Sequence, residues 1–291
     1  MKTIQHILLA VGLLAASSAF AVINIDTVLV GDAGNTGEIQ SQGTFGAVGY
    51  AYHIGTYEVT NSQYTAFLNA TAATDTHSLY NSNMSSNTHG GINRAGSSGS
   101  YTYSVKSGFD DKPVNFVSFW DAARFSNWLT TGGTETGVYN LNGTTAPTNN
   151  TITRDATAWA NGGVAVASEN EWYKAAYYDG NGGYTLYPTQ SNSITTADAN
   201  YNNSVGTVTD VGTYAADPSH YGTFDQGGNV REWNGAIVST SARVLRGGSF
   251  SDDVFDQQSS LRLINGPTGE VNFIGFRVSS LAPIPEPSAY A

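Results

Sequence analysis

The sequence contains no cysteine, and this absence excludes several kinds of chemistry at once. A chain without thiols forms no disulfide, no thiolate zinc site and no cysteine-ligated iron–sulfur cluster, and it has no cysteine nucleophile. Any contact that holds its loops together must therefore come from other side chains or from a bound ion.

Charged residues are also scarce, at 12% of the chain, which is about half the usual share. With 12 Lys and Arg and a net charge of −11, the chain lacks the basic footprint of a nucleic-acid-binding protein, and an anionic membrane surface is an equally poor partner. Gly, Ser, Thr and Asn are abundant instead, which favours a loop-rich domain. The 40% of hydrophobic residues over 291 positions suffice for a packed core.

No apolar run is long enough to cross a bilayer as a helix, including the one at residues 7–16. That run follows Lys2 and precedes the small residues Ala19 and Ala21, an arrangement typical of a secretory signal peptide. We therefore expect residues 1–21 to be a signal peptide, cleaved after Ala21, that directs Sec export to the cell surface or the extracellular space. The alternative is a buried N-terminal helix.

Residues 282–291 form a proline-rich tail, with three prolines within five positions, which is typical of an extended, non-helical chain. The string Pro-Glu-Pro-Ser at 285–288, followed by Tyr290 and Ala291, resembles the start of a PEP-CTERM sorting signal. Such a signal continues into an apolar helix and a basic tail, so we expect this one to be truncated or degenerate. The alternative is an ordinary proline-rich tail, but the signal peptide at the other end favours the sorting signal.

Three segments carry the signature of a helix start, in which one side chain caps the helix and another, three residues later, reaches back to it. The pairs are Thr60 with Gln63, Ser118 with Asp121, and Ser168 with Glu171. Apolar residues recur after each pair at three- and four-residue spacing, so each helix should bury one face. Gly132 and Gly180 then act as stop signals for two of the helices.

The rest of the chain alternates between strand-like segments and polar loops. Apolar segments at residues 27–30, 243–246 and 273–278 are strand-like. Two stretches rich in Thr, Ser, Asn and Gly, at residues 71–107 and 134–163, are interpreted as long polar insertions. Short helices, scattered strands and long loops together predict an irregular α+β domain.

Six sequence blocks follow one another between about residues 26 and 280. They are Gly-Thr-Tyr-Glu-Val-Thr-Asn at 55–61, Pro-Val-Asn-Phe-Val-Ser-Phe-Trp-Asp-Ala-Ala at 113–123, Ser-Glu-Asn-Glu-Trp at 168–172, Gly-Gly-Asn-Val-Arg-Glu-Trp at 227–233, Arg-Gly-Gly-Ser-Phe at 246–250 and Gly-Phe-Arg at 275–277. In this order the blocks resemble the formylglycine-generating enzyme or sulfatase-modifying-factor family, which includes non-haem-iron sulfoxide synthase domains. The resemblance implies an irregular, C-type-lectin-like fold over residues 22–281.

The family's enzymes use copper and oxygen to convert a sulfatase cysteine to formylglycine, and two cysteines bind copper(I). Those positions are Asp252 and Gln257 here, and a carboxylate and an amide cannot replace thiolates as ligands of this soft ion. The first tryptophan of the family's Asn-x-Trp-Glu-Trp block is Arg231, whereas Ser249 is retained. The resemblance therefore argues against copper and against formylglycine generation, assigns no catalytic residue, and leaves Arg231, Ser249, Asp252 and Gln257 as the lining of a ligand groove.

The iron-dependent branch of the family needs a histidine cluster, usually supplied by a separate helical domain. Without the signal peptide the chain retains His53, His77, His89 and His220, and these show no close ligand spacing. We interpret them as surface histidines.

Calcium is the metal that the resemblance favours, in a structural role. The implied ligands are Asp225, Glu232 and the carbonyls of Gly228 and Val230 for one site, and Asn200 with the carbonyl of Tyr201 for a second. Calcium prefers such hard oxygen ligands, with carboxylates and turn carbonyls mixed. The alternative for Asp225 and Glu232 is a solvated turn, and no downstream acidic partner aligns for the second site.

Three functions are compatible with these observations. The favoured one is a non-catalytic binding or structural module at the cell surface or in the extracellular matrix, with a peptide or glycan ligand suited to its 17 Tyr and 5 Trp. The second is a metal-dependent oxidase or oxygenase of the formylglycine-generating or sulfoxide-synthase type, in which Asp252 and histidines converge on a hard metal. The third is surface adhesion through the two polar insertions. The sequence does not specify the oligomeric state.

Overall fold

The computed structural model describes residues 23–147 and 151–284, so the predicted signal peptide and the Pro-Glu-Pro-Ser string lie outside the described residues. The strands are β1 (Thr27–Val30), β2 (Glu38–Gln40), β3 (Gly43–Phe45), β4 (Tyr52–Gly55), β5 (Ile92–Ala95), β6 (Thr102–Val105), β7 (Ala165–Val166), β8 (Arg231–Ser239), β9 (Ala242–Arg246), β10 (Leu263–Asn265), β11 (Ile274–Phe276) and β12 (Val278–Ser280). The helices are α1 (Asn61–Thr71), α2 (Asn83–Ser86), α3 (Phe119–Thr131), α4 (Ala156–Ala160) and α5 (Glu169–Tyr177), with a 3₁₀ turn at Val254–Gln257.

The strands form two four-stranded sheets and two separate hairpins. One sheet has the order β1-β4-β12-β7, and the other has the order β10-β9-β8-β11. Within the second sheet β11 runs parallel to β8, whereas β8, β9 and β10 pair antiparallel. The small sheets, the short helices and the long turns confirm the predicted irregular α+β domain.

The three predicted helix starts are confirmed, since α1, α3 and α5 each begin with a complete capping box. Gly132 ends α3 in the left-handed conformation at φ 77°, as its position predicted. The prediction that Gly180 ends α5 is wrong, because that helix ends at Tyr177 and its C-cap Tyr178 is extended. Gly180 lies in the following turn, also with positive φ.

The segment 273–278, predicted as one strand, is two strands that belong to different sheets. β11 ends at Phe276 and β12 begins at Val278, and the residue between them is Arg277. The Arg277 side chain is fully buried and forms an ion pair with Glu232 of β8. This buried pair fixes the chain where it passes from one sheet to the other.

The polar insertions contain more secondary structure than their composition predicted. Residues 71–107 include α2 and the hairpin of β5 and β6, and residues 134–163 include α4. Among the described residues no helix is both long and apolar enough to span a bilayer.

Two apolar clusters hold the helices against the sheets. In the larger one, Phe67 of α1 and Phe125 of α3 pack edge to face and Phe125 contacts Phe276 of β11. In the second, Trp172 and Tyr173 of α5 pack on the sheet that contains β1 and β4. This second contact places the first turn of α5 beside β8, next to the sites described below.

Candidate functional site

A tight turn leads into β8 and carries most of the predicted calcium ligands. Gly228 has φ 95°, and a Cβ atom there would collide with the carbonyl of Asn200. The amide of Asn229 donates to that same carbonyl oxygen at 2.8 Å. The two predicted calcium sites, which are far apart in sequence, therefore lie against each other.

The carboxylate of Glu232 is fully engaged by protein donors. Arg277 donates from Nε to Oε2 and from Nη2 to Oε1, each at 2.7 Å, and Trp172 Nε1 donates to Oε2 at 2.8 Å. A cation at Glu232 would have to displace a guanidinium from a fully buried pair, which is costly. In this arrangement Glu232 does not fit the role of a calcium ligand.

Asp225 and Asn200 fit that role better. Asp225 Oδ2 accepts from the Gly212 amide at 2.6 Å, and the buried side-chain oxygen of Asn200 has no hydrogen-bond partner among the described residues. Tyr201 is buried, and its carbonyl accepts from the Ser204 amide at 3.1 Å. The calcium sites remain a prediction.

Carboxylates outnumber cations around Arg277. Burial raises the pKa of Asp225 to about 6, against the lowering effects of the Gly212 hydrogen bond and of Arg277. Burial also raises the pKa of Glu58, with the charge of Asp225 acting in the same direction. Glu58 Oε2 lies 3.9 Å from Arg277 Nη2 and accepts no hydrogen bond from a described residue.

Three of the four predicted groove residues are brought together at the start of β8. Arg231 forms a bidentate ion pair with Asp252, with Nε–Oδ2 at 2.7 Å and Nη2–Oδ1 at 2.6 Å. Ser249 Oγ donates to Asp252 Oδ2 at 2.7 Å. The Arg231 guanidinium also lies 5.1 Å from the centre of the Phe273 ring.

Gln257 lies apart from this ion pair and is fully buried. Its Nε2 donates to the Asp253 carbonyl at 2.9 Å, and its side chain fills the space over Gly248, where a Cβ atom would collide with it. The groove is thus closed at Asp252 by an internal pair and at Gln257 by packing. Asp252 and Gln257, at which the resemblance places the copper-binding cysteines, are both held by contacts within the chain.

The histidines are dispersed. His77 Nε2 lies 3.2 Å from Glu135, His89 Nδ1 lies 3.0 Å from Thr207, and the His220 ring packs on Tyr221. Within residues 23–147 and 151–284, no group of three or more His, Cys, Asp or Glu side chains is arranged to hold a metal ion.

A cavity of about 550 Å³, which the sequence did not predict, lies between α4, the first turn of α5 and the middle of β8. Its lining is Thr44, Phe45, Tyr50, Tyr139, Thr153, Arg154, Ala156, Trp159, Ser168, Glu169, Asn170, Gly235 and Ala236. We call it the aromatic cavity, after Phe45, Tyr50, Tyr139 and Trp159. Its only sequence signal is that two of these aromatic residues interrupt the polar stretch at 134–163.

A buried ion pair forms the back of the aromatic cavity. Arg154 donates from Nη1 to Glu171 Oε1 at 2.7 Å and from Nη2 to Glu171 Oε2 at 2.9 Å. The Arg154 guanidinium also lies 3.8 Å from the centre of the Trp159 ring, a cation–π contact. The Tyr50 hydroxyl donates to Glu171 Oε1 at 2.7 Å. These contacts fix two aromatic walls of the cavity.

The hydroxyl of Tyr139 is an unsatisfied polar group at this wall. The residue is 1% exposed, and its Oη has no hydrogen-bond partner among the described residues. The Val166 backbone faces it, but no hydrogen bond of acceptable geometry joins the two groups. Burial raises the pKa of Tyr139, so the hydroxyl is neutral and can donate as well as accept.

Comparison with known proteins gives one family and a set of similar structures. The model of the sulfatase-modifying factor enzyme 1-like domain family matches residues 31–281. A crystal structure of CarF is similar at 24% identity with a TM-score of 0.60, over 89% of this chain and 98% of that one. Variable protein 1 of Treponema denticola is similar at 18% identity and TM-score 0.59, and PvdO from Pseudomonas aeruginosa at 18% and 0.53, each over 90% of this chain and 98% of theirs. At these identities the likeness shows the fold alone, and no curated protein matches.

Proposed function

Because the chain belongs to the sulfatase-modifying factor enzyme 1-like family but carries an ion pair in place of a copper site, we propose that it is a non-catalytic binding or structural module. The Arg231–Asp252 pair is the observation that carries this proposal. By the resemblance, Asp252 stands at the position of one copper-binding cysteine and Arg231 at the first tryptophan of the Asn-x-Trp-Glu-Trp block.

The chemistry of this pair opposes metal-dependent oxidation. A bidentate, charge-assisted pair is among the stronger polar contacts in proteins, and Ser249 adds a third donor to the same carboxylate. Asp252 would have to exchange all of these bonds for a metal ion, and it is a poor ligand for copper(I) in any case. The two replacements are complementary, since an arginine and a carboxylate satisfy each other.

The proposal also concerns location. The signal peptide expected at residues 1–21 and the sorting-like tail support export to the cell surface or the extracellular matrix. A domain with no cysteine and few charges suits that setting, because it has no thiol to be oxidised and no strongly basic surface. A peptide or a glycan is then the ligand class to test.

The experiment is an oxidase assay on the purified chain that begins at Val22. The chain is incubated with copper, oxygen, a thiol reductant and a sulfatase-type cysteine peptide, and formylglycine is measured by mass spectrometry. A catalytically competent formylglycine-generating enzyme serves as the positive control. We expect no conversion, and turnover above that of free copper would refute the proposal.

Export is tested separately by mass spectrometry of the N-terminus after expression with the full sequence. We expect a chain that begins at Val22 outside the cytoplasm. An intact Met1 on a cytoplasmic chain would contradict the proposed location without affecting the non-catalytic role.

A further inference from the structure

The aromatic cavity has the size and composition of a small-ligand site. Its volume of about 550 Å³ falls within the range of about 300–1,000 Å³ that such sites occupy. Apolar surface forms most of its walls, and hydroxyl and amide side chains such as Thr44, Thr153 and Asn170 are dispersed among the apolar residues. This mixture suits a ligand that has both an apolar face and several hydroxyl groups.

Both charged side chains that line the cavity already have partners. Arg154 is paired with Glu171, and Glu169 is paired with Arg246 and Arg262. An anionic or cationic ligand would find no free countercharge on these two residues. The cavity therefore favours a neutral ligand over a phosphorylated, carboxylated or amine-bearing one.

The backbone next to the cavity is less suited to an extended peptide. A peptide that docks along a strand needs a row of unpaired backbone groups. The two β8 residues that line the cavity lie in a bulge, where the pairing with β9 shifts register between Trp233 and Ile237. Their backbone groups are largely used within the chain, since the Gly235 amide donates to the Ala167 carbonyl at 2.9 Å, the Gly235 carbonyl accepts from Arg243 Nη1 at 3.1 Å and the Ala236 amide donates to Asn234 Oδ1 at 3.4 Å. Polar contacts with a ligand must come largely from side chains dispersed over the wall.

We propose that the aromatic cavity binds one or two rings of a neutral saccharide, with Tyr50 packing on the C–H face of a sugar ring and the hydroxyl and amide side chains of the wall bonded to sugar hydroxyls. This inference rests on the proposed binding function and names its ligand class and its place. Tyr50 is 41% exposed and its ring is fixed through Glu171, so stacking on it costs little conformational entropy.

The experiment measures binding of cellobiose, chitobiose, maltose and lactose to the chain from Val22, by saturation-transfer NMR and calorimetry. A glucuronate-containing disaccharide and a neutral hexapeptide are the comparison probes. We expect at least one neutral disaccharide to bind, and to bind better than the charged disaccharide and the peptide. Lack of binding by all four at millimolar concentration overturns the inference, and so does preferential binding of the peptide.

Variants then locate the site. Tyr50→Ala and the cavity-filling Ala236→Trp should each weaken binding about tenfold or more, a change of about 1.4 kcal/mol. Tyr50→Phe should retain most of the affinity, because it keeps the ring and loses only the bond to Glu171. Phe255→Ala is the matched control, an aromatic residue that is 68% exposed on the 3₁₀ turn near Asp252. Equal loss in Phe255→Ala would place the ligand in the groove and refute the assignment.

Tyr139→Phe is a second control. Because the Tyr139 hydroxyl is not exposed in the cavity, removing it should leave saccharide binding unchanged, and a loss as large as that of Tyr50→Ala would contradict the placement of the ligand against Tyr50. The oxidase assay is independent of these outcomes, so failure of the saccharide inference and failure of the non-catalytic function are separable.

Discussion

Glu171→Gln tests how much of the fold's stability depends on the ion pair behind the aromatic cavity. The Glu171 side chain is fully buried, and burial alone would raise the pKa of its carboxyl. Arg154, the Ser168 amide and the Tyr50 hydroxyl outweigh burial and lower that pKa from 4.5 to about 2. Glutamine keeps an acceptor oxygen for the capping box and removes the charge, together with one of the two acceptor oxygens.

The expected loss follows from linkage. A fall of the pKa from 4.5 to about 2 corresponds to about 3 kcal/mol of unfolding free energy at neutral pH. Because the folded-state pKa is the lower one, this contribution is complete above about pH 5 and is lost as the pH falls towards 2. The variant should therefore be about 3 kcal/mol less stable at pH 7 but only about 1.5 kcal/mol less stable at pH 3.

Urea unfolding at pH 7, 5 and 3, followed by tryptophan fluorescence, measures the difference in unfolding free energy between the variant and the unsubstituted chain. An equal difference at pH 7 and pH 3 would refute the reasoning, since the loss would then come from packing and not from charge. Adding Arg154→Met to the variant should recover part of the stability, because a lone buried guanidinium costs more than an apolar replacement of both partners.

Asp121→Asn is the matched control, since Asp121 holds the same third position in the capping box of α3. Burial and the neighbouring charge of Glu270 raise its pKa to about 7, opposite to Glu171. A raised folded-state pKa gives stability that is complete below about pH 4 and lost as the pH rises through 7. The unfolding free energy of Asp121→Asn should therefore rise relative to that of the unsubstituted chain between pH 5 and pH 8. A difference in unfolding free energy that does not change with pH would contradict the raised pKa.

Three further predictions concern the turn before β8 and the closed groove. Asp225→Asn should raise the unfolding midpoint at pH 8 in the presence of a chelator, because burial raises the pKa of Asp225 to about 6 and the charged carboxylate is unfavourable above that pH. The same substitution should abolish any increase of the midpoint that calcium causes, and an unchanged increase would exclude Asp225 as a calcium ligand. Gly228→Ala should cost about 1–3 kcal/mol in urea unfolding, because its φ of 95° and the Asn200 carbonyl leave no room for a methyl group, and full stability would contradict the turn geometry. Asp252→Asn should lower the unfolding free energy in urea by about 1–2 kcal/mol, whereas the double substitution Arg231→Met with Asp252→Leu should leave it nearly unchanged. Equal losses of unfolding free energy would argue against an ion pair at this position.

Local signals in the sequence predicted local structure well. The capping boxes at Thr60, Ser118 and Ser168 specify helix starts through residues three positions apart, so no tertiary information is needed. The break at Arg277 was missed for the opposite reason. Its apolar neighbours indicate a continuous strand, and only the ion pair with Glu232, 45 positions earlier in the chain, divides it.

The candidate sites show the same division. Position within the family blocks predicted that Arg231, Ser249 and Asp252 line one groove, and in the structure Arg231 and Ser249 both contact Asp252. Position did not predict the direct pairing of arginine with carboxylate, because that depends on side-chain reach across a turn. The aromatic cavity was missed entirely, since its walls come from the β3 region, the segment 139–159, the start of α5 and the middle of β8. No periodicity joins segments so far apart.

The scarcity of charge in the sequence has a structural counterpart in where the arginines lie. Four of them are fully buried, namely Arg124, Arg243, Arg246 and Arg277. Three of these bind a carboxylate and also donate to backbone carbonyls of distant turns: Arg124 to Thr144 and Thr145, Arg246 to Ser259 and Leu261, and Arg277 to Gly55 and Phe224. A guanidinium can do this because its planar fork presents several donors at once, whereas a lysine ammonium cannot match both geometries. Each of these three arginines thus joins segments that are distant in the chain, as a disulfide would in a chain that had cysteine. Since desolvating a charge is tolerable only when every donor is satisfied, these contacts require the turns to hold fixed positions, which explains how a loop-rich chain without cysteine can keep rigid sites beside β8.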